Sequence, residues 1–392
     1  MKYNVQIRDF CKKYLEEAKS VSSIPNGVNN RVYLVETVGG KYVFKAINPT
    51  KSKDDDIERL EASEHIGVLA KEKGASCIVA KRINDKYVNL LKGQYYVVYD
   101  FFDGETKASE KITLKNCFEM GTQLAKIHNI PFNKEDDFTS KARTFSYGAV
   151  ELSHKVIWED YMEKATKFSP DWLSDMEKKL PALYELFDYS LAPFLSFIPS
   201  DIVLSHNDLH PENVMWKDNV PYAIDWETAG FIDATFDCLH MAMRWATARV
   251  DEKRVIDKVK LYAFLEGYSK ERSINVENIE LAMYIIFYRR LNSLRFALIS
   301  FIKNEDAKKR NRLGLHIKYS LAVIDAYLDQ VNKIDVIKKY VTMLQPGQTY
   351  VKSPSYEILP RMESLVKNNN ILVDKYKEAS RKYVLAKEKQ PQ

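Results

Sequence analysis

Asp208, Asn213 and Asp225 are the residues whose types and spacing most clearly indicate chemistry. They lie in the segment Val203–Asp237, which reads VLSHNDLHPENVMWKDNVPYAIDWETAGFIDATFD. Asp208 ends a His-x-Asp motif, Asn213 follows five residues later, and Asp225 ends the apolar run 221–224. A carboxylate can accept a proton from an alcohol, and carboxylate and amide oxygens are hard ligands that suit Mg²⁺. Each motif alone is also compatible with a turn or helix cap, but together they favour phosphoryl transfer.

Length and composition predict a globular intracellular protein. The length of 392 residues predicts two or three domains, or two lobes that share a cleft, and 45% hydrophobic with 29% charged residues is ordinary for a globular protein. A net charge of +5 without a recognised nucleic-acid-binding motif does not indicate nucleic-acid binding. The four cysteines are scattered, no secretory signal is evident, and no apolar run approaches the roughly 20 residues of a membrane span. We therefore expect a cytoplasmic protein with no nucleic-acid partner and no membrane span.

The first hundred residues are predicted to be rich in strands. Helical spacing of apolar residues indicates an amphipathic helix at the N-terminus. β-branched and aromatic residues then indicate a hairpin that turns at Gly39-Gly40, followed by a second pair of strands. The predicted strands are Arg31–Glu36 with Lys41–Ile47, and Lys86–Leu91 with Tyr95–Phe102.

Lys45 lies inside an apolar strand, where a lysine usually marks the solvent face. Its interest depends on the next predicted helix, Asp54–Lys73, which presents Glu58, Glu61 and Glu64. A strand lysine paired with a helix glutamate holds the α- and β-phosphates of the nucleotide in kinase-like folds. We favour Glu61 as the partner and leave Glu64 and Glu58 open.

Two further stretches are candidates for nucleotide contact. The small polar turn 25–30 could offer backbone N–H groups to phosphate oxygens, or it could be a plain hairpin loop. The strand that ends at Asp100–Phe102 runs into a polar turn containing glycine. In a two-lobed kinase such a strand end serves as the hinge, and its backbone would bond the adenine edge.

The rest of the chain is predicted to be mainly helical. Apart from the short strands of the segment Val203–Asp237, the predicted helices are Leu114–His128, Val156–Lys167, Asp171–Phe187, Ala192–Phe197, Leu239–Ala248, Glu252–Tyr268, Val276–Ser300 and Glu305–Val331. We predict three regions: a nucleotide-binding lobe at 1–102, a helical catalytic and substrate-binding lobe at 103–332, and a C-terminal extension of unassigned role at 333–392. The fold class is therefore α+β.

With these residues assembled, the chain resembles the aminoglycoside phosphotransferase and choline kinase superfamily, the small-molecule branch of the protein-kinase-like fold. The resemblance covers about residues 22–300. It rests on the segments Asn30–Tyr33, Val43–Lys45, Ser205–Val214 and Ile224–Gly230. It implies a two-lobed fold in which a small antiparallel-sheet lobe precedes a larger, mainly helical lobe.

The resemblance also implies roles for individual residues. Asp208 would be the catalytic base or hydroxyl positioner, and Asn213 and Asp225 would be Mg²⁺ ligands. Lys45 would contact the α- and β-phosphates with Glu61 as its partner. The further nucleotide contacts would be Asn30, Asp100 and Phe102. In this family the position of Asp237 supports the catalytic loop structurally.

Departures from the protein-kinase motifs argue against protein-kinase activity. Asn207 replaces the arginine of the protein-kinase H-R-D motif, and Trp226-Glu227 replaces the Phe-Gly of D-F-G. The short distance from Asp225 to Asp237 leaves no room for an activation segment. We therefore expect an ATP- or GTP- and Mg²⁺-dependent kinase of a small-molecule hydroxyl. The alternative is a nucleotide-binding pseudokinase that acts as a scaffold without turnover.

The expected acceptor is a cationic alcohol or amino sugar, similar to choline, ethanolamine or an aminoglycoside. Glu227 and Asp233 follow Asp225 in the sequence, and Trp245 lies on the next predicted helix. Carboxylates and aromatic faces attract ammonium groups by charge pairing and cation–π contact. The alternative is that the aromatic residues belong to the core and the acidic residues to the surface. The residues carry no code for the oligomeric state.

Overall fold

An N-terminal helix and a five-stranded sheet open the computed structural model, which describes residues 2–24, 30–48, 54–133, 136–145, 147, 155–181, 183–184, 199–250 and 253–345. The order of the strands is β1–β2–β3–β5–β4, and every neighbouring pair is antiparallel. The predicted strands are confirmed, whereas β1 was missed. The elements are α1 Lys2–Tyr14, β1 Ala18–Ile24, β2 Arg31–Thr37, β3 Lys41–Ala46, β4 Val88–Leu91 and β5 Gln94–Asp100.

Alternation along β3 decides which side of the sheet each side chain meets. Phe44 and Ala46 join a buried cluster with Phe10 of α1. Because successive side chains of a strand point to opposite faces, Val43 and Lys45 face the other way. On that side Val43 packs against a second buried cluster, which includes Leu60. Each face of the sheet therefore carries an apolar cluster, and Lys45 lies on the face that meets Leu60.

Helix α2, Asp54–Glu72, supplies Leu60 to that second cluster. It ends at Glu72, and Gly74 follows with a φ of +83°, which suits glycine. The amide of Gly74 donates to the carbonyl of Lys71 and the amide of Ala75 donates to that of Ala70, both at 3.0 Å. These bonds satisfy the last carbonyls of the helix, and they confirm the predicted helix end.

The segment Val203–Asp237 forms short strands followed by the start of a buried helix, and further elements precede and follow it. In chain order the elements are β6 Glu105–Thr106, α3 Leu114–His128, α4 Asp137–Lys141, β7 Arg143–Thr144, β8 Ile202–Ser205, β9 Val214–Lys217, β10 Val220–Ala223, β11 Gly230–Asp233, α7 Ala234–Ala246 and α8 Lys258–Ser269. Strand β11 pairs with β8, and β9 pairs with β10. The loop between β8 and β9 carries Asp208 and Asn213 and is named the catalytic loop. The loop between β10 and β11 carries Asp225 and is named the metal loop.

Helices α3 and α8 approach each other at two glycines. A Cβ atom on Gly121 would lie 2.0 Å from the carbonyl oxygen of Phe264, and one on Gly267 would lie 2.0 Å from that of Phe118. The hydroxyl of Thr122 also donates to the carbonyl of Gly267 at 3.1 Å. Only residues without a side chain allow this backbone contact.

The remaining described elements are mainly helical: α5 Lys155–Thr166, α6 over residues 173–181, β12 Thr247–Val250, β13 Lys253–Ile256, α9 Ile279–Lys303, α10 Ala307–Val331 and α11 Ile334–Leu344. The helix predicted at Glu252–Tyr268 is wrong at its start. Residues Lys253–Ile256 form a strand, and the helix begins after Asp257, whose carboxylate accepts the amides of Val259 and Lys260. The predicted helix Ala192–Phe197 lies outside the described residues.

Contacts divide the chain into two units. The first contains Met1–Phe145, Pro199–Ala248 and Asp257–Ile274, and the second contains Ser146–Ile198, Arg249–Ile256 and Asn275–Gln392. The predicted boundaries after 102 and 332 stay predictions. None of the helices in the described part of the chain has the length and hydropathy that a bilayer-spanning segment requires.

Candidate active site

The catalytic loop is tied to the metal loop by two hydrogen bonds. Asn207 has a left-handed backbone, with a φ of 65°, and its side-chain amide donates to the carbonyl of Thr228 at 2.9 Å. The hydroxyl of Thr228 donates in return to the carbonyl of His206 at 3.0 Å. Asn207, which replaces the arginine of protein kinases, therefore joins the two loops.

Asp208 lies within this loop, and both of its carboxylate oxygens are engaged. Oδ1 accepts from Nη1 of Arg244 at 2.8 Å, and Oδ2 accepts from Nδ2 of Asn213 at 3.3 Å. Nε2 of His210 lies 3.4 Å from Oδ2. Asn213 also donates to the backbone carbonyl of Asp208 at 2.9 Å. These contacts fix the direction in which the carboxylate points.

The surroundings of Asp208 keep it ionised. Burial raises the pKa of the carboxyl group, but a hydrogen bond from His210 and the charges of Arg244 and His210 outweigh burial, so the net pKa is lowered. A carboxylate with a lowered pKa is a weak base. The geometry therefore suits a group that orients an alcohol by accepting its hydrogen bond.

Asn213 and Asp225 are brought together by the backbone. The amide of Ile224 donates to the carbonyl of Asn213 at 3.0 Å. Nε2 of His206 lies 2.8 Å from the carbonyl of Ile224, and burial lowers the pKa of this histidine, so the neutral ring donates at Nε2. Asp225 itself is left-handed, with a φ of 65°, and its side chain is 39% exposed.

Lys45 meets the metal loop directly. Its Nζ lies 2.5 Å from Oδ1 of Asp225 and 3.1 Å from Oε2 of Glu227. Burial alone lowers the pKa of Lys45, but the charges of Asp225 and Glu227 and the hydrogen bond to Asp225 raise it above its usual value. The ammonium group is therefore charged although its side chain is almost buried.

Glu61 is not the partner of Lys45, so that prediction is wrong. Its carboxylate accepts the amides of Tyr87 and Val88, both at 2.7 Å, and thereby ties α2 to β4. Glu64, one of the two alternatives left open, is fully buried on the Lys45 side. Its Oε1 accepts from the hydroxyl of Tyr99 at 2.7 Å, and burial raises its pKa to about 7.

Helix α2 also contacts the metal loop. The hydroxyl of Ser63 donates to the carbonyl of Ala229 at 2.8 Å. A Cβ atom on Gly67 would lie 2.8 Å from the buried ring of Trp226, so the helix backbone packs directly on that indole. The residue after Asp225 therefore sets the distance between α2 and the metal loop.

Glu227 was predicted to contact the acceptor, but it lies with Lys45 and Asn30. Nδ2 of Asn30 donates to its Oε2 at 2.8 Å, and Oδ1 of Asn30 accepts the amide of Asn48 at 3.0 Å. Asn30 is thus close to the Lys45 ammonium group, and its predicted contact with the nucleotide stays a prediction. The turn 25–29 lies outside the described residues.

Asp100 is the last residue of β5, and Phe102 lies two residues beyond it. The carboxylate of Asp100 pairs with Lys81 at 2.8 Å, and the ring of Phe102 packs against Tyr222 with 4.5 Å between centroids. The amide of Phe101 between them donates to the carbonyl of Lys41 at 2.9 Å. The adenine contact proposed for the backbone here stays a prediction.

Asp233 and Trp245 were predicted as acceptor contacts, and both predictions are wrong because the side chains are buried. Asp233 is 0% exposed and caps α7 by accepting the amide of Phe236 at 2.9 Å. Trp245 is 1% exposed, and its indole N–H donates to the carbonyl of Leu209 at 2.8 Å. Asp233 therefore stabilises the start of α7, and Trp245 supports the catalytic loop at Leu209. Neither side chain can reach an acceptor.

A buried network lies below the catalytic loop. Oδ2 of Asp237 accepts from the hydroxyl of Ser205 at 2.7 Å and lies 3.1 Å from Nε2 of His128. Nδ1 of His128 is 2.8 Å from the hydroxyl of Tyr268. This agrees with the structural role that the resemblance implies for Asp237.

The donor set fits a magnesium ion that is completed by phosphate and water. Among the described residues, no three His, Cys, Asp or Glu side chains are grouped to hold a metal. Mg²⁺ does not need such a group, because it is usually bound by one or two carboxylates together with substrate phosphates and waters. Asn213 and Asp225 can supply one neutral and one anionic oxygen, and Asp225 is exposed enough to do so.

Arg244 and His210 are the site residues that sequence reasoning missed. His210 had a signal, because it stands two residues after Asp208 within the same motif. Arg244 is separated from Asp208 by 36 residues, and only the packing of α7 brings the two together. Its neighbour Trp245 was predicted instead. Because a helix turns by about 100° per residue, the two side chains point in different directions.

The model of the phosphotransferase enzyme family (APH) matches residues 20–272 of this chain. The homoserine kinase of Chelativorans sp. is 26% identical over 285 residues, which cover 71% of this chain and 79% of that protein. The homoserine kinase of Paramagnetospirillum magneticum is 23% identical over 282 residues, which cover 70% and 79%.

Two solved structures share the fold. A spectinomycin phosphotransferase in complex with ADP and spectinomycin has a TM-score of 0.62 and 17% identity, covering 83% of this chain and 97% of that one. An amicoumacin kinase in complex with AMP-PNP and Ca²⁺ has a TM-score of 0.57 and 14% identity, covering 82% and 97%. The predicted kinase-like α+β fold is confirmed.

Proposed function

The chain belongs to the phosphotransferase enzyme family, and from that premise we propose that it transfers the γ-phosphate of ATP to the hydroxyl of a small amine-bearing alcohol. The observation that carries the proposal is the ion pair of Lys45 with Asp225, beside an Asp208 that is hydrogen-bonded to Asn213. One cation for phosphate, two oxygen ligands for a metal and one carboxylate for the alcohol are the parts that phosphoryl transfer requires.

Asp208 would position the acceptor. The acceptor oxygen forms a bond to the γ-phosphorus while the bond from that phosphorus to the bridging oxygen breaks, and ADP leaves. The carboxylate accepts the hydrogen bond of the hydroxyl and holds its proton as the oxygen attacks. Arg244 and Asn213 keep the two carboxylate oxygens in place, so orientation is prepared before the alcohol binds.

Asn213 and Asp225 would hold Mg²⁺, and Lys45 would hold phosphate oxygens. When bound, the metal supplies positive charge that neutralises the phosphates. For Lys45 to serve the nucleotide, its contact with Asp225 must loosen, and Glu64 and Glu227 then remain nearby as partners for its charge. Asn30 belongs to the turn 25–30, and its hydrogen bond to Glu227 places it beside Lys45.

The donor and the acceptor class are supported by what related proteins are named for. The spectinomycin phosphotransferase structure contains ADP and the amicoumacin kinase structure contains AMP-PNP. The related sequences are named homoserine kinases. Homoserine, choline, ethanolamine and amino sugars share a hydroxyl acceptor and a cationic nitrogen, so the amine-bearing alcohol is the common class.

A phosphorylation assay tests the proposal. The protein is incubated with Mg²⁺ and either ATP or GTP, together with choline, ethanolamine, homoserine, a kanamycin-type aminoglycoside or a neutral sugar at matched concentrations. We expect transfer from ATP to at least one amine-bearing alcohol. A clear preference for the neutral sugar would contradict the proposed acceptor class.

The same assay on Asp208→Asn tests the assigned chemistry. This variant keeps the size of the side chain and removes the anionic acceptor, so we expect turnover to fall by about 10²–10⁴-fold. Binding of MgATP, measured by calorimetry, should stay near the wild-type value. A variant with the wild-type kcat would show that Asp208 does not position the alcohol.

A further inference from the structure

Two basic side chains meet the carboxylate that would hold the acceptor. Arg244 contacts one oxygen of Asp208 at 2.8 Å, and His210 lies 3.4 Å from the other. The carboxylates expected to attract a cation are engaged elsewhere, because Asp233 caps a helix and Glu227 contacts Lys45. The described surroundings of Asp208 are therefore more basic than a pocket for a purely cationic alcohol requires.

Arg244 retains donors for a ligand. It stands in the last turn of α7, and its side chain is 27% exposed. A guanidinium group has five N–H donors in a rigid fork that matches a carboxylate. Its contact with Asp208 involves Nη1, so the other donors can meet a second anionic group that enters beside Asp208.

Partial burial strengthens the attraction between Arg244 and an anionic group of a ligand. Asp208 and Arg244 are both partly shielded from solvent, with side chains 38% and 27% exposed. Charges in such a site interact more strongly than in bulk water. An acceptor with a cation alone would offer no partner to the guanidinium donors that Asp208 does not use, whereas an acceptor with a carboxylate would pair with those donors through charge-assisted hydrogen bonds.

We propose that the acceptor carries a carboxylate beside its hydroxyl, as a hydroxy amino acid does, and that Arg244 binds that carboxylate. The inference rests on the proposed function, because it concerns the alcohol that receives the phosphate. It assigns Arg244 the selection of the acceptor, in addition to its contact with Asp208. The fork would hold the carboxylate and thereby bring the hydroxyl of the same molecule toward Asp208.

Matched acceptors test the proposal on the wild-type enzyme. Serine, threonine and homoserine are each compared with the amino alcohol that lacks only the carboxylate, with MgATP saturating. We expect kcat/KM to be at least about tenfold higher for the carboxylate-bearing member of the best pair, the range of a charge-assisted hydrogen bond. A preference for the amino alcohols in all three pairs would overturn the inference.

Variants then connect the preference to Arg244. In Arg244→Gln the ratio of kcat/KM within the best pair should fall by about ten- to a hundredfold, and in Arg244→Lys it should fall less, because the charge remains without the fork. The ratio is decisive because a general effect on Asp208 alters both members equally. Arg82→Gln, which changes an arginine with a side chain 61% exposed, is the control.

The outcomes separate the two proposals. An unchanged ratio in folded Arg244→Gln and Arg244→Lys, judged by circular dichroism, overturns the role of Arg244. Turnover of amino alcohols alone overturns the carboxylate inference and leaves the proposed function standing. If the wild-type enzyme binds MgATP but phosphorylates no acceptor in either series, the proposed function fails as well.

Discussion

Asp225 and Asn213 offer one anionic and one neutral oxygen, and this difference can be measured residue by residue. We expect Asp225→Ala to lower kcat/KM by roughly a hundredfold or more and Asn213→Ala by less, because the metal loses a charged ligand only in the first variant. The assay is turnover as a function of Mg²⁺ concentration. Equal, mild losses with an unchanged Mg²⁺ dependence would argue against both ligands.

Glu64 predicts a dependence of stability on pH. Burial raises its pKa in the folded protein to about 7, above the ordinary 4.5. The folded state then binds a proton more tightly than the unfolded state. The stability from this group is therefore complete below about pH 4.5 and is lost as the pH rises through 7, with a limit on the order of 3 kcal/mol.

Glu64→Gln removes that dependence, since the amide resembles a permanently protonated acid and can still accept from Tyr99. We expect the variant to gain stability relative to the wild type as the pH rises from 5 to 8. Chemical denaturation at several pH values measures the difference. A difference that does not change with pH would contradict the raised pKa.

Motif spacing predicted Asp208, Asn213 and Asp225, and the place of Lys45 in an apolar strand ahead of a helix with several glutamates predicted Lys45. Their roles as ligands and catalyst stay predictions. Sequence reasoning chose the wrong glutamate because Glu61 and Glu64 are three positions apart and share one side of the helix. Only the packing of α2 decides which carboxylate meets β4 and which is buried near Lys45. The predicted acceptor contacts of Asp233 and Trp245 were wrong for a related reason, because composition does not reveal which side chains are buried.

At the scale of secondary structure elements, the contact between α3 and α8 leaves no room for a side chain at its two glycines. We expect Gly121→Ala to destabilise the protein by at least ~1–3 kcal/mol, because its Cβ would lie 2.0 Å from the carbonyl oxygen of Phe264. The measurement is the midpoint of denaturant unfolding at a constant slope. Gly40→Ala is the matched control, since its Cβ would meet only the hydroxyl of Tyr42, at 3.9 Å.

A Gly121→Ala variant as stable as the Gly40→Ala control would mean that the two helices do not pack as described. The helix α3 itself was predicted from periodicity, with the same bounds that the structure has. Its crossing with α8 could not be predicted, because a glycine inside a helical pattern does not indicate which element packs against it. The start of α8 was missed because the cap at Asp257 was not recognised and β13 was taken for helix.

For the whole molecule, ligand binding should be visible as stability. The residues assigned to the nucleotide, metal and alcohol come from two separate stretches of the sequence, Met1–Phe145 and Pro199–Ala248, yet belong to one compact unit. MgATP at about a hundred times its dissociation constant should add ~2.7 kcal/mol to the free energy of unfolding. A thermal unfolding series with and without MgATP measures this gain.

Lys45→Met should reduce that gain, because the variant keeps an apolar stem of similar length and removes the charge assigned to phosphate. Lys41→Met on the same strand is the control, since Lys41 pairs with Glu36 at the surface. An equal gain in both variants would return Lys45 to a structural role.

The ion pair of Lys45 with Asp225 has a consequence for the order in which ligands associate. In the free protein an internal cation already satisfies one oxygen of the carboxylate assigned to the metal. Magnesium alone must compete with it, so the free enzyme should be a poor chelator. A nucleotide that draws the ammonium group to its phosphates releases that oxygen, and each ligand then raises the affinity for the other by the same factor.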